Sequence, residues 1–84
     1  MKRKQKINEL LKKKFKDFNI HIEDNSHLHV GHNKFNGKGE THIKIILKRN
    51  SNQQIDRIEI HRKINSILKN EFNDGMHSLE IRII

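Results

Sequence analysis

The spacing of apolar residues alternates between the period of a helix and the period of a strand, and this order constrains the fold more than any other feature. Ile, Leu and Phe recur at intervals of three and four over about 3–16 and 56–72, which predicts two amphipathic helices. Apolar and polar residues alternate over about 18–23, 42–48 and 77–84, which predicts three strands. The predicted order is therefore α-β-β-α-β.

The connections between these elements determine how the strands should pair. A strand joined to the next strand through a helix makes a right-handed crossover, so strands two and three should be parallel. Strands one and two follow each other without a helix and should be antiparallel. We predict an α+β fold with a three-stranded mixed sheet and two helices on one face. We expect a core that includes Ile45, Ile64, Ile67, Leu68 and Ile81.

The chain has 84 residues, which is enough for one domain with one small core. We predict a single domain over 1–84, with 1–6 as a frayed basic N-terminus. The second helix should stop at Asn73, Asp74 and Gly75, because these residue types favour helix ends. The chain contains no apolar run that approaches the roughly 18 residues of a membrane span, and no secretory signal. We therefore expect a cytoplasmic protein that does not bind membranes.

The connection between the first two strands is long and rich in histidine. Hairpin connections usually contain two to five residues, and much longer ones are usually either functional or disordered. Imidazole at this density is typical of metal or proton chemistry. A polar loop with solvated histidines explains the same residues, and local sequence leaves both interpretations open. Four of the seven histidines lie in or at the end of this connection, namely His27, His29, His32 and His42.

Histidine also begins the third predicted strand. His77 is in phase with the apolar residues of that strand, so it should face the same side of the sheet as they do. A histidine at such a position is usually semi-buried and hydrogen-bonded to a helix end. If the long hairpin connection folds over the same end of the sheet, His77 and a loop imidazole could bind a metal together. The loop histidines could also bind zinc or copper by themselves, although their spacing matches no standard zinc module. These are His27, His29 and His32.

The positive charge is concentrated at the N-terminus. Segment 1–16 has eight basic side chains against Glu9, so it carries +7 of the formal net charge of +8. Such a segment could attract nucleic acid or an acidic protein. A solvated helix face is the ordinary alternative. The candidate nucleic-acid contacts are Lys12, Lys13, Lys14 and Lys16.

Cysteine is absent, which removes disulfides, thiol catalysis and cysteine-type zinc modules. The chain also cannot hold an iron–sulfur cluster by itself, because such clusters need thiolates at most positions. No dinucleotide fingerprint or activated serine is present, so we predict that the protein is not an enzyme.

Several short motifs in combination resemble the BolA family. Glycine-Glu-Thr-His before a strand is followed by a His-Arg pair in the second helix and by a Met-His-Ser-Leu segment at the third strand. The resemblance covers about 7–84. The family often has Phe and Gly in the connection where this chain has 51–55, and usually has Arg where this chain has Ile60. The motifs are Asp24-x-Ser26-His27-x-His29-x-Gly31-His32, Gly39-Glu40-Thr41-His42, Ile60-His61-Arg62 and Met76-His77-Ser78-Leu79.

The resemblance implies a fold similar to class II KH domains and pairing with a monothiol glutaredoxin in iron–sulfur and iron homeostasis. His77 matches the family's C-terminal ligand to a shared [2Fe-2S] cluster. The second ligand comes from the first hairpin connection, where His29 is slightly favoured over His32. Glutaredoxin and glutathione would supply the thiolates, so no cluster is expected on the isolated chain, which should be monomeric. Some members regulate transcription by binding DNA, which is the alternative function for the basic first helix.

Overall fold

The computed structural model describes residues 2–25 and 41–84. Six elements lie in these ranges, and their order confirms the predicted α-β-β-α-β arrangement, with the second helix divided into two. The elements are α1 (Arg3–Lys14), β1 (Phe18–Asp24), β2 (His42–Arg49), α2 (Arg57–Ile67), α3 (Lys69–Asn73) and β3 (Ser78–Ile83).

The strands form one mixed sheet in the order β1-β2-β3. β1 pairs with β2 antiparallel, and β2 pairs with β3 parallel. Both pairings confirm the predicted topology. Alternate residues of β2 share one face of the sheet, and these apolar residues form a single buried cluster with residues of α1 and α2. The members from β2, α1 and α2 are Ile43, Ile45, Leu47, Ile7, Leu11, Ile60 and Ile64.

Three of the five predicted core residues, Ile45, Ile64 and Leu68, are fully buried. The other two, Ile67 and Ile81, are only partly buried at the margin of the cluster, so their prediction as core residues was too strong.

The division of the second helix at Leu68 changes which residues after it are buried. The backbone of Leu68 leaves the helical region, with φ −97° and ψ 11°. The residues of α3 therefore do not continue the apolar face of α2. The apolar spacing over 56–72 predicts that Phe72 faces the core on one continuous helix, but Phe72 is 39% exposed. Glu71 takes the inward position instead and is only 4% exposed.

The buried Glu71 carboxylate of α3 is paired with two cations near the start of α1. Arg3 Nε lies 3.0 Å from Glu71 Oε1, and Lys6 Nζ lies 3.1 Å from Glu71 Oε2. Arg3 also donates from Nη2 to the carbonyl oxygen of Asp74 at 2.6 Å. Because α1 begins at Arg3 and is anchored there, residues 3–6 belong to the helix rather than to a frayed N-terminus.

The turn after α3 sets the start of β3. Gly75 has φ +107°, in the left-handed region that favours glycine, and it lies just beyond α3. The N–H of Met76 donates to the carbonyl of Glu71 at 2.9 Å, which closes this turn. The predicted helix stop is therefore confirmed. None of the helices in the two described ranges is long and apolar enough to cross a membrane.

Candidate functional site

His77 is held by its backbone at the end of the sheet where β2 and β3 both begin. The carbonyl of Thr41 accepts hydrogen bonds from the N–H of His77 at 2.7 Å and from the N–H of Ser78 at 3.1 Å. His77 lies just before β3 rather than within it, and it is exposed. The semi-buried role that is usual for a histidine at a strand start does not apply here.

A second imidazole lies beside His77. The ring centroids of His42 and His77 are 5.9 Å apart, with an angle of 62° between the ring planes. His42 Nδ1 is also 2.9 Å from Thr41 Oγ1, and Thr41 is buried. Thr41 therefore contacts both histidines, one through its hydroxyl and the other through its carbonyl.

Sequence reasoning placed His42 at the start of a strand but did not bring it next to His77. The predicted parallel pairing already implies this proximity, because two parallel neighbouring strands begin at the same end of the sheet. His42 is opposite Ser78 in the observed register, which makes it a near neighbour of the residue before Ser78. The predicted partners His29 and His32, together with His27, lie outside the described residues.

The residues that flank 26–40 are at this same end of the sheet. Asn25 donates its N–H to the carbonyl of His42 at 2.8 Å, and Thr41 contacts His77 as described above. The chain therefore leaves β1 and enters β2 beside the two imidazoles.

The remaining described histidines have ordinary surroundings. His21 is exposed, and its Nε2 is 3.5 Å from Glu23 Oε1 on the same strand. His61 is half-buried on α2, and its carbonyl accepts a hydrogen bond from Asn65 Nδ2 at 2.7 Å. They occupy the strand and helix positions that the sequence predicts.

The candidate nucleic-acid lysines are all exposed at the C-terminal end of α1 or just beyond it. Cations at this end of a helix stabilise its dipole, which gives them a structural role as well. Lys14 also lines a shallow groove of about 330 Å³ together with Lys63 and Ser66 of α2. The lysines of α1 are Lys12, Lys13 and Lys14, and Lys16 follows the helix.

Comparison with known proteins settles the family. The family model described as BolA-like protein matches residues 11–84. The chain belongs to the BolA family. The resemblance inferred from the histidine and glycine motifs is thereby confirmed.

Solved structures of BolA proteins have the same fold. The BolA domain of SufE1 from Arabidopsis thaliana matches 99% of this chain and 91% of its own, with a TM-score of 0.77 and 30% identity. BolA1 from Arabidopsis thaliana matches 99% of this chain and 90% of its own, with a TM-score of 0.78 and 27% identity. Among curated relatives, the DNA-binding transcriptional regulator BolA of Haemophilus influenzae is 29% identical over 79 residues, which cover 94% of this chain and 73% of that protein.

Proposed function

We propose that this BolA-family protein is an adaptor that pairs with a monothiol glutaredoxin and shares a [2Fe-2S] cluster with it in iron–sulfur homeostasis. The observation that carries the proposal is the position of His77. It is exposed, its backbone is held by Thr41, and it lies at the end of the sheet where Asn25 and Thr41 flank the histidine-containing segment 26–40.

The donor atoms of this chain fit a shared cluster better than a cluster of its own. Iron–sulfur clusters are held mainly by thiolates, and this chain has no cysteine. In the part of the chain that the structure describes, no three His, Asp or Glu side chains are grouped as a metal site. A partner would have to supply the thiolates, and in this proposal a glutaredoxin cysteine and glutathione do so.

The proposed ligands of this chain are His77 and one loop histidine, His29 or else His32. Replacing thiolates by imidazoles on one iron raises the reduction potential of a [2Fe-2S] centre, as in Rieske proteins. Thr41 would hold the backbone of His77 in place before the partner arrives. Since imidazole must be neutral to bind a metal, we expect the shared complex to weaken as the pH falls.

A reconstitution experiment tests the pairing. The protein is mixed with a monothiol glutaredoxin, ferrous iron, sulfide and glutathione, and the product is followed by visible absorption and size-exclusion chromatography. We expect a coloured complex that contains both chains and whose spectrum differs from that of the same mixture without this protein. Separate elution of the two chains, with an unchanged glutaredoxin spectrum, would contradict the proposal.

Variants of the loop identify the second ligand. His29→Ala and His32→Ala should differ, one variant losing the shared spectrum and the other retaining most of it. Equal retention by both variants would exclude these two residues as ligands.

DNA binding is the second candidate function. It is supported by the similarity to the Haemophilus influenzae regulator and by the exposed lysines of α1. Lysine binds phosphate as a point charge, and phosphate contacts carry no sequence information. Such binding would be weak, poorly specific for sequence and strongly dependent on salt.

A further inference from the structure

β1 forms one edge of the sheet, and the register shows which of its backbone groups point away from β2. Asn25 donates its N–H to His42, and Asn50 donates its N–H to Asp17. The register between these two pairs is continuous, and hydrogen-bonded pairs alternate along an antiparallel ladder. The odd-numbered residues of β1 therefore make backbone hydrogen bonds to β2. The N–H and C=O groups of Ile20 and Ile22 point outward from the sheet.

A basic groove lies beside this open edge. Its volume is about 790 Å³, and it is bounded by the first half of α1 and by β1. Ile20 is half-buried and contributes apolar surface, whereas Ile22 is buried and contributes little. Amide side chains of α1 add hydrogen-bonding groups. Two lysines outnumber the one acidic side chain, Asp24, that lines the groove. The lining residues on this side are Lys2, which precedes α1, and Lys4, Gln5 and Asn8 of α1.

We propose that the open edge of β1 binds an extended acidic segment of a partner protein, which joins the sheet as a fourth strand. In this mode of recognition, main-chain hydrogen bonds provide affinity and alternate side chains provide specificity. Ile20 and Ile22 would each offer one donor and one acceptor to the added strand. Every second side chain of that strand would face α1, where an acidic residue meets Lys2 or Lys4.

Within the described ranges, β1 lacks two of the common devices that protect a sheet edge, which supports a docking role. Sheet edges are commonly protected by proline or by a bulge. This chain has no proline, and the register of β1 with β2 has no bulge. This edge and β3 lie on opposite sides of β2, so the proposal does not depend on the function of His77.

Charge distinguishes an acidic partner from a second copy of this chain. Pairing β1 with β1 of another copy would bring two N-terminal segments together, and residues 1–16 of each carry +7. Their repulsion opposes self-association. An acidic strand, in contrast, is attracted to the same surface.

The first test uses a synthetic seven-residue peptide of alternating Glu and Val, blocked at both ends, and measures amide exchange in the full-length chain by NMR. We expect the peptide to slow exchange at Ile20 and Ile22 but not at His21 and Glu23, which already bond to β2. Slow exchange at Ile20 and Ile22 before the peptide is added would show that the edge is already covered, and would overturn the proposal. Unchanged exchange at saturating peptide would also overturn it.

The second test separates the hydrogen bonds from the charge. A peptide N-methylated at the residues that face β1 loses its donors, and we expect binding to weaken by about tenfold. The double variant Lys2→Glu, Lys4→Glu should weaken binding of the unmodified peptide by a similar factor. The matched control, Lys12→Glu, Lys13→Glu, makes the same charge change on the same helix away from the groove and should have a much smaller effect. Equal losses in the two double variants, or undiminished binding of the N-methylated peptide, would contradict a strand docked at this edge.

Discussion

Glu71 and His77 lie on the two sides of the turn between α3 and β3, and their environments are opposite. The carboxylate of Glu71 is buried, and both of its oxygens are paired with cations of α1. His77 is exposed, and what holds it in place is the bond from its backbone N–H to Thr41. Removing such a buried carboxylate leaves its partner cation uncompensated, which destabilises the fold. An imidazole that faces solvent on a fixed backbone is suited to bind something outside the chain.

This comparison predicts that changes at the two residues have separate consequences. Changes around Glu71 should alter stability, because the side chain of Arg3 is only 13% exposed and would lose its counterion. Changes at His77 should alter assembly with a partner and leave stability almost unchanged. The predictions below test this separation, beginning with the largest effect.

The largest expected loss of stability sets the scale for the other changes. Leu68→Ala removes a fully buried side chain and should lower the free energy of unfolding by about 2–5 kcal/mol. Denaturant unfolding followed by circular dichroism measures this value. A loss below about 0.5 kcal/mol would show that this end of α2 does not face the core.

The next largest effect is expected at the ion-pair cluster. Glu71→Ala leaves Arg3 without its carboxylate partner and should cost about 2–3 kcal/mol in the same unfolding measurement. Lys6→Ala is the matched control, because the side chain of Lys6 is 42% exposed, and it should cost less than about 1 kcal/mol. Similar small costs for both variants would mean that Glu71 behaves as an ordinary surface charge.

The exposed lysines of α1 have no role in the core, so changing them should affect binding more than stability. Changing Lys12, Lys13 and Lys14 to Gln should weaken any DNA binding. It should also reduce the slope of log affinity against log salt by about 2–3, since each phosphate contact contributes about 0.9. Fluorescence anisotropy with duplex DNA over a range of salt concentrations measures both quantities. Tight binding that persists at high salt, or an affinity that is the same in the variant, would favour the regulator function over the adaptor.

The smallest expected change in stability is at His77. His77→Ala removes an exposed side chain and should change the free energy of unfolding by no more than about 0.5 kcal/mol. A loss comparable to that of Glu71→Ala would show that the contact with His42 is part of the fold, and the contrast between the two residues would disappear.

The sequence predicted the elements and their pairing because both follow from periodicity and from the handedness of crossovers. It did not predict the break at Leu68, because the apolar spacing continues to Phe72 as if the helix were unbroken. It did not predict the burial of Glu71 either, because its partners are more than sixty residues away along the chain. Such a contact depends on how α1 packs against α3, which local spacing does not encode.

The candidate site was predicted in part. His77 was selected from a motif, and its location at the end of the sheet follows from the strand order. Its neighbour His42 was not predicted, because the contact depends on the register of the parallel pair, which places His42 opposite Ser78. The choice between His29 and His32 stays a prediction, since both lie outside the described residues.

The central claim is that His77 ligates a cluster shared with a monothiol glutaredoxin, and paired histidine variants test it most directly. The two proteins, iron, sulfide and glutathione are combined with wild type, His77→Ala or His21→Ala, after circular dichroism has confirmed that each variant is folded. Visible absorption and circular dichroism of the cluster are then measured on the complex isolated by size exclusion. We predict that His77→Ala loses or greatly destabilises the shared cluster, while His21→Ala matches wild type. A folded His77→Ala protein that forms the same complex with an unchanged cluster spectrum would contradict the claim.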